Sequence, residues 1–583
     1  MSDADFDFSF KNLFSPLTNA KAITWIIIIG LVVYANMLFN GFVWDDRTFI
    51  LMNPDVTHLD IFYLFGPNTF NNISAGQYRP LIAVYFTILH TIFDNSTFFY
   101  HIFQLTINIT NTILLFYILK KFFNINIAFL VVLVFLFHPI QVESVSYIAS
   151  SDNPIFTFFG LSALLLNSID NPTWKKTLLV FCLLLCSLLS KETGLLFVIL
   201  TVVYRYLFLK TNKTAYLCYG ILTIIIYLFF RFAVADVYFS IVKLAPIARL
   251  SLADRFFTMP AVIFYYLKTF FSPINLVIIQ YWTVTSADFS HFYLPLMLDL
   301  FSFLLIVFTG RYVWERGRKT FKQFMFFCLW LFLGLGMYSQ IYPLDMTVAD
   351  RWFYFPIIGL LGIFACVFQE FQVVLAKHKT VVLTCAILLL CVFAIRTIVR
   401  NNNWQNAITL YTHDSSIIDN FELENSLGGE LNVVGDYEQA LPHFQKSVEM
   451  FPHETNLFNL GLVYDEKGDV KDAEKYYADA YYIPSYGIAT YPHKRLEAIY
   501  IEYATILLQH NPSKALTVVN DGLIDYPNDT SEWYIKVECE YKLGNHADAV
   551  TAAAKIVQLL PNNGTAINLY NRLINNQAIS ITN

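Results

Sequence analysis

Long apolar runs, rather than an amphipathic stripe, dominate the first 400 residues. They fall at approximately 22–39, 100–119, 124–140, 150–167, 177–190, 193–209, 214–232, 294–313, 322–341, 353–369 and 380–396. A helix needs about 20 apolar residues to cross a hydrocarbon core, so about eleven spans are expected, the shorter ones buried among their neighbours. The first run, Ala22 to Phe39, is followed by aromatic and acidic residues instead of a small-residue cleavage site, and reads as a retained span. Residues 257–280 are apolar but broken by Pro260 and Pro273, and are expected to be re-entrant or interfacial. After about Asn401 the chain turns polar and slightly acidic. The expected class is all-α: a transmembrane domain over 1–400 and a second domain over 401–583.

The gaps between runs carry cations in alternation: Lys120-Lys121, Lys175-Lys176, Lys210 with Lys213, the group from Arg311 to Lys322, and Lys377 with Lys379. Short loops rich in Lys and Arg stay in the cytoplasm. That rule puts the N-terminus inside and everything beyond about Arg396 outside, in a plasma-membrane or endoplasmic-reticulum protein.

The last third repeats with a period close to the 34 residues of the tetratricopeptide repeat (TPR), a helical hairpin packed through small residues at fixed sites. Leu427-Gly428, Gly435, Tyr437, Ala440, Phe444 and Pro452 mark a first copy; Leu460-Gly461, Tyr464, Gly468, Ala473, Tyr477 and Ala480 mark a second. A third is weaker (Ala515, Gly522, Pro527), and a fourth returns with Trp533, Tyr541, Gly544, Ala549 and Pro561. The register slips between Ile483 and His493, which implies an inserted loop. Stacked hairpins form a solenoid able to hold an extended peptide. Such repeats bind proteins and do no chemistry themselves.

Composition narrows the function. With 56% hydrophobic and only 14% charged residues and a mean hydropathy of +0.51, the chain is not a soluble enzyme. No basic field suited to nucleic acid is present. Seven of the eight cysteines lie in or beside apolar runs and Cys539 stands in the repeats, so no disulfide framework is expected.

Chemistry is therefore sought at the outer edges of the spans, where an ionisable residue is costly enough to need a reason. Immediately after the first run stands Gly41-Phe42-Val43-Trp44-Asp45-Asp46. Adjacent carboxylates point differently along the backbone, and their mutual repulsion raises at least one pKa, which suits a general base; the plain alternative is an Asp capping a helix start. Other outer groups are Tyr78-Arg79-Pro80, His138-Pro139 with Glu143, Asp152, Lys191-Glu192 and Asp350-Arg351. Each has an ordinary reading as a helix end, an ion pair or a cap. Together they supply the cations and carboxylates that transfer from a phosphate leaving group requires. A divalent cation is compatible with the acidic pair, but no spacing in the chain requires a metal or other cofactor.

The ordered set Phe42-Val43-Trp44-Asp45-Asp46, Tyr78-Arg79-Pro80-Leu81, His138-Pro139-Ile140-Gln141-Val142-Glu143, Lys191-Glu192 and Val348-Ala349-Asp350-Arg351, upstream of repeats, resembles one family. It is the transmembrane and tetratricopeptide-repeat-containing protein O-mannosyltransferases and their prokaryotic relatives. The resemblance implies a GT-C-like glycosyltransferase taking a sugar, mannose in the family, from a dolichyl- or polyprenyl-phosphate donor, with the repeats engaging a protein acceptor. It implies Asp45 or Asp46 as the base and Arg351 with Lys191 at the donor phosphate. Trp44, Arg79, His138, Glu143, Glu192 and Asp350 are then expected around the acceptor or sugar. Two departures are visible: animal members carry longer repeat arrays, and Asp350 stands where the family often has Glu. Two other classes fit the same architecture, a non-catalytic membrane scaffold for the repeats and a ligase or polymerase of lipid-linked glycans.

Overall fold

The structure, a computed structural model, describes residues 17–57, 59–67, 76–239, 244–371, 377–484 and 495–579. Among these residues there are helices and turns but no strand, and the chain divides into two compact units, Met1–Ile417 and Ile418–Asn583.

The first unit contains α1 (Asn19–Val33), α2 (Pro80–Phe93), α3 (Thr97–Leu119), α4 (Ile125–Phe137), α5 (Asp152–Asn167), α6 (Trp174–Ser190) and α7 (Leu195–Phe208). It continues through α8 (Lys213–Phe229), α9 (Leu252–Phe271), α10 (Leu294–Arg316), α11 (Arg318–Met337), α12 (Pro356–Glu370), α13 (Lys379–Asn403) and α14 (Ala407–Ser415). By length and composition five helices among the described residues can cross a membrane, or six if the bent pair Ile125–Phe137 and Pro139–Ser146 is one span. The expected count of eleven is not reached on that criterion. Polar breaks near His138 and Lys191 cut the runs into helices of 13 to 17 residues. A further short apolar helix, α2, lies between the first two of the expected runs.

Breaking helices in an apolar bundle frees backbone groups that must find partners. α3 supplies them from a buried polar stripe. Gln104 donates to the carbonyls of Ser144 and Tyr147 (3.0 and 2.8 Å), Asn111 donates to that of Pro154 (2.8 Å), and Asn108 accepts from the Tyr354 hydroxyl (2.8 Å). Packing is close at the Lys191 break, where a Cβ on Gly194 would lie 2.5 Å from the Ser187 carbonyl carbon, and between helices, where one on Gly359 of α12 would lie 2.4 Å from the Leu331 nitrogen of α11.

The two ends of the bundle differ in charge. At one end Lys120 meets Asn19, Arg205 donates to Asn167, and Lys322 reaches the Leu207 carbonyl. At the other end lie Asp45, Asp46, Glu143, Asp152, Lys191, Glu192 and Arg351, with their partners. α9 has both termini at this second end. Arg255 in its first turn donates to the carbonyls of Gln340 and Ile341, and the Phe270 carbonyl near its last residue meets His138.

The break between units falls at 417/418, later than the 400/401 expected from composition. The cause is a buried ion pair: Arg400 of α13 bonds both oxygens of Asp414 on α14 (2.6 and 3.1 Å), and Asp414 also accepts from the Ile278 N–H (2.8 Å). α14 therefore belongs to the bundle.

The second unit is a run of hairpins: α15 (Phe421–Val433) with α16 (Tyr437–Met450), α17 (Glu454–Glu466) with α18 (Val470–Tyr482), α19 (Glu497–Leu508) with α20 (Pro512–Asp525), α21 (Thr530–Lys542) with α22 (His546–Leu559), then α23 (Gly564–Ile574). Gly435, Gly468 and Gly544 turn three of these hairpins at φ near +80°, a region that favours glycine. The weak third repeat folds like the rest, with Ala504 and Ala515 fully buried at the helix contact. The expected inserted loop lies largely outside the described residues.

Glu532 of α21 is fully buried, and neither carboxylate oxygen has a hydrogen-bond partner among the described residues. Burial, reinforced by Asp529, Glu497 and Asp525, pushes its pKa up to about 8. An acid whose pKa rises on folding contributes most below its unfolded value, and that contribution is lost as pH climbs through the folded value. Hydrogen-exchange protection of α20 and α21 is thus expected to fall between about pH 4 and pH 8, with a shallower slope in Glu532→Gln. Equal slopes in the two proteins would contradict this.

Candidate active site

The loop after α1 is built around Asp46. Its buried carboxylate accepts from the Val43 N–H (3.0 Å) and from the Ala149 N–H (2.6 Å), fastening the turn to the segment after the α4 break. Between Val43 and Asp46, Trp44 adopts φ 51°, a left-handed conformation that is costly for a bulky side chain and is held here by its surroundings. Burial pushes Asp46 up to about 8 despite the two N–H donors. Both oxygens are committed to the backbone.

Asp45 differs. It is half-buried, and its Oδ2 accepts from the Tyr147 hydroxyl (2.9 Å). Burial raises its pKa against the lowering effects of Tyr147 and Arg351. Tyr147 stacks on Trp44 (centroids 5.4 Å apart) and on Trp404 (5.5 Å). The Arg351 guanidinium lies over Trp44 (5.4 Å), Trp352 (5.9 Å) and Tyr147 (6.0 Å). One nitrogen, Nη1, bonds Glu143, which also accepts from the Arg351 backbone N–H (3.0 Å). Nε and Nη2 make no hydrogen bond with the described residues. The site thus joins a carboxylate on a tyrosine to an arginine whose fork is half used.

A second charged group adjoins it. Asp152, opening α5, pairs with Arg79 (2.6 Å) and Lys191 (3.0 Å), and Lys191 also donates to Asn153 (2.7 Å). Glu192 accepts from Arg79 (3.1 Å), Arg231 (3.2 Å) and the Tyr78 N–H (2.9 Å). Burial lowers Lys191 to about 8, opposed by Asp152. The two groups sense each other, for Arg351 is among the charges acting on Lys191.

Three of the expected pocket residues are engaged by other groups of the protein. His138 is fully buried with both ring nitrogens occupied: Nδ1 accepts from the Ile140 N–H (3.2 Å) and Nε2 meets the Phe270 carbonyl (2.8 Å). It caps a helical turn. Glu143 is buried as the counter-ion of Arg351, and Asp350 is buried against the Tyr265 hydroxyl. Tyr147 and Arg231 join these groups through Asp45 and Glu192, and sequence reasoning does not single them out. Arg231 alone carries a signal, as a cation at the end of an apolar run. Among the described residues no group of three or more His, Cys, Asp or Glu is arranged to hold a metal.

Comparison with known proteins follows the same lines. The tetratricopeptide-repeat profile matches residues 433–488. The chain is 23% identical over 511 residues to the human protein O-mannosyl-transferase TMTC3, covering 79% of this chain and 54% of the relative. It is 23% identical over 443 residues to the Caenorhabditis elegans protein O-mannosyl-transferase F38B6.6, covering 73% and 62%. Among solved structures it is similar to YrrB, a TPR protein with an unusual peptide-binding site, at a TM-score of 0.26 and 18% identity over 29% of this chain and 84% of that one. The chain spans little more than half the length of the human relative. The resemblance first carried by five short motifs thus extends over most of the chain: it is similar to proteins named as protein O-mannosyl-transferases.

Proposed function

We propose that the chain is a glycosyltransferase that moves a sugar, mannose on the strength of its relatives, from a polyprenyl- or dolichyl-phosphate donor to Ser/Thr hydroxyls of a protein. Asp45 is the base. The acceptor oxygen attacks the anomeric carbon as its proton passes to the Asp45 carboxylate; the bond from that carbon to the phosphate oxygen breaks, and its electron pair leaves with the lipid phosphate on the opposite face. Asp46 shapes the loop and presents Asp45. The free edge of Arg351 takes the phosphate, because a planar guanidinium can bond two oxygens at once. Lys191 and Arg79 supply further positive charge from behind. The observation that carries this reading is the sharing of one aromatic lining by Asp45 and the half-used Arg351, an arrangement for which a scaffold has no use.

The cation-bearing ends of the helices are assigned to the cytoplasm and the acidic end to the outside. The repeats are assigned to the outside by the same rule, where they engage the acceptor protein.

Transfer of mannose from synthetic mannosyl polyprenyl phosphate to a Ser/Thr peptide, followed by mass spectrometry, tests the activity. Within it, Arg351→Lys keeps the charge and loses the fork, and the donor KM is expected to rise about tenfold. An unchanged donor KM would remove Arg351 from the phosphate site.

A further inference from the structure

The loop between α11 and the Asp350 turn is tied from several directions. Gln340, fully buried at φ 66°, donates to the carbonyls of Met346 and Thr347 (both 2.8 Å) and accepts from the Leu344 N–H (3.0 Å). Arg255 of α9 holds the Gln340 and Ile341 carbonyls (2.9 and 3.1 Å). Thr347 bonds the Trp282 carbonyl through its hydroxyl (2.6 Å) and the Gln280 carbonyl through its N–H (3.1 Å). A loop so fixed holds Asp345, between Leu344 and Met346, in one place. Asp345 is half-buried and makes no hydrogen bond or ion pair with the described residues. Its charge acts on Asp45, Arg79 and Arg351 alike, so it stands within Coulombic reach of both the base and the cations.

A carboxylate there is unsuited to binding the donor phosphate, which it repels, and the attacking hydroxyl is assigned to Asp45. What lies between base and phosphate in this reaction is the sugar. Its hydroxyls are hydrogen-bond donors, and a carboxylate whose two oxygens are bonded by none of the described residues can accept from two neighbouring ones. We propose that Asp345 is a specificity-determining residue that binds adjacent hydroxyls of the donor's sugar, an inference that rests on the transferase reading above.

The test uses the purified full chain, mannosyl polyprenyl phosphate, and a set of donors in which one sugar hydroxyl at a time is replaced by hydrogen. Removing a hydroxyl bonded to a charged group is expected to lower kcat/KM roughly ten- to hundredfold in the wild type. Asp345→Ala should lose a similar factor on the full donor and nothing further on the affected deoxy donors, and Asp345→Asn should recover part of the loss. Wild-type kcat/KM in Asp345→Ala, or an equal loss on full and deoxy donors alike, overturns the assignment while leaving the transferase intact. Absence of wild-type transfer from any donor overturns the transferase reading, and this one with it.

Discussion

Asp45→Asn is expected to lower the rate of sugar transfer about 10²–10⁴-fold, the range typical of losing a general base, without lowering thermal stability. The side chain is half-buried, its one hydrogen bond with the described residues is to Tyr147, and an amide oxygen can still accept from that hydroxyl. Asp46→Asn behaves differently. It sets an NH₂ group against one of two backbone N–H donors, Val43 or Ala149, at a fully buried position. A buried donor left unsatisfied costs about 1–3 kcal/mol, so Asp46→Asn should lose activity and melting temperature together. Melting and transfer, measured on variants of matched monodispersity, separate a base from a positioning residue. If Asp45→Asn transfers at the wild-type rate, the base is misassigned. A pH profile gives a second check: burial raises the Asp45 pKa, so activity should fall on acidification at a higher pH than an ordinary carboxylate would impose.

The second large effect is on stability. Asp414→Ala leaves Arg400, 2% exposed, without its carboxylate partner. Breaking a buried pair from one side costs about 3–5 kcal/mol, because the remaining charge is uncompensated. Thermal denaturation of the detergent-solubilised protein should show a lower melting temperature, with α14 losing hydrogen-exchange protection first. A wild-type melting curve would mean that α14 is not anchored through this pair.

The apolar runs and the repeats were legible because each follows from a local pattern: continuous apolar stretches in one case, a recurring spacing of small and aromatic residues in the other. Span lengths were less so. Whether a run such as 124–140 continues or breaks at His138 depends on partners for the freed backbone groups, and those come from Tyr34 and Thr397, far away in sequence, which donate to the Leu136 and Phe137 carbonyls. The candidate site shows the same division. Trp44, Asp45, Asp46 and Arg351 stood out as charged or aromatic groups beside apolar runs. The distinction between Asp45 and Asp46 did not, since it depends on the Ala149 N–H and the Tyr147 hydroxyl about a hundred residues away. The capping role of His138 was not legible either, because a histidine in a site and a histidine capping a turn read alike at the end of an apolar run.

The central claim is that this bundle cleaves a sugar from a lipid phosphate with Asp45 as the base. Its most direct test is the release of polyprenyl phosphate from mannosyl polyprenyl phosphate by the purified protein, in the presence and absence of a Ser/Thr peptide. The account expects release that requires the peptide, matches the mannose transferred mole for mole, and is nearly abolished in Asp45→Asn. Peptide-independent release, or release that persists unchanged in Asp45→Asn, would contradict it.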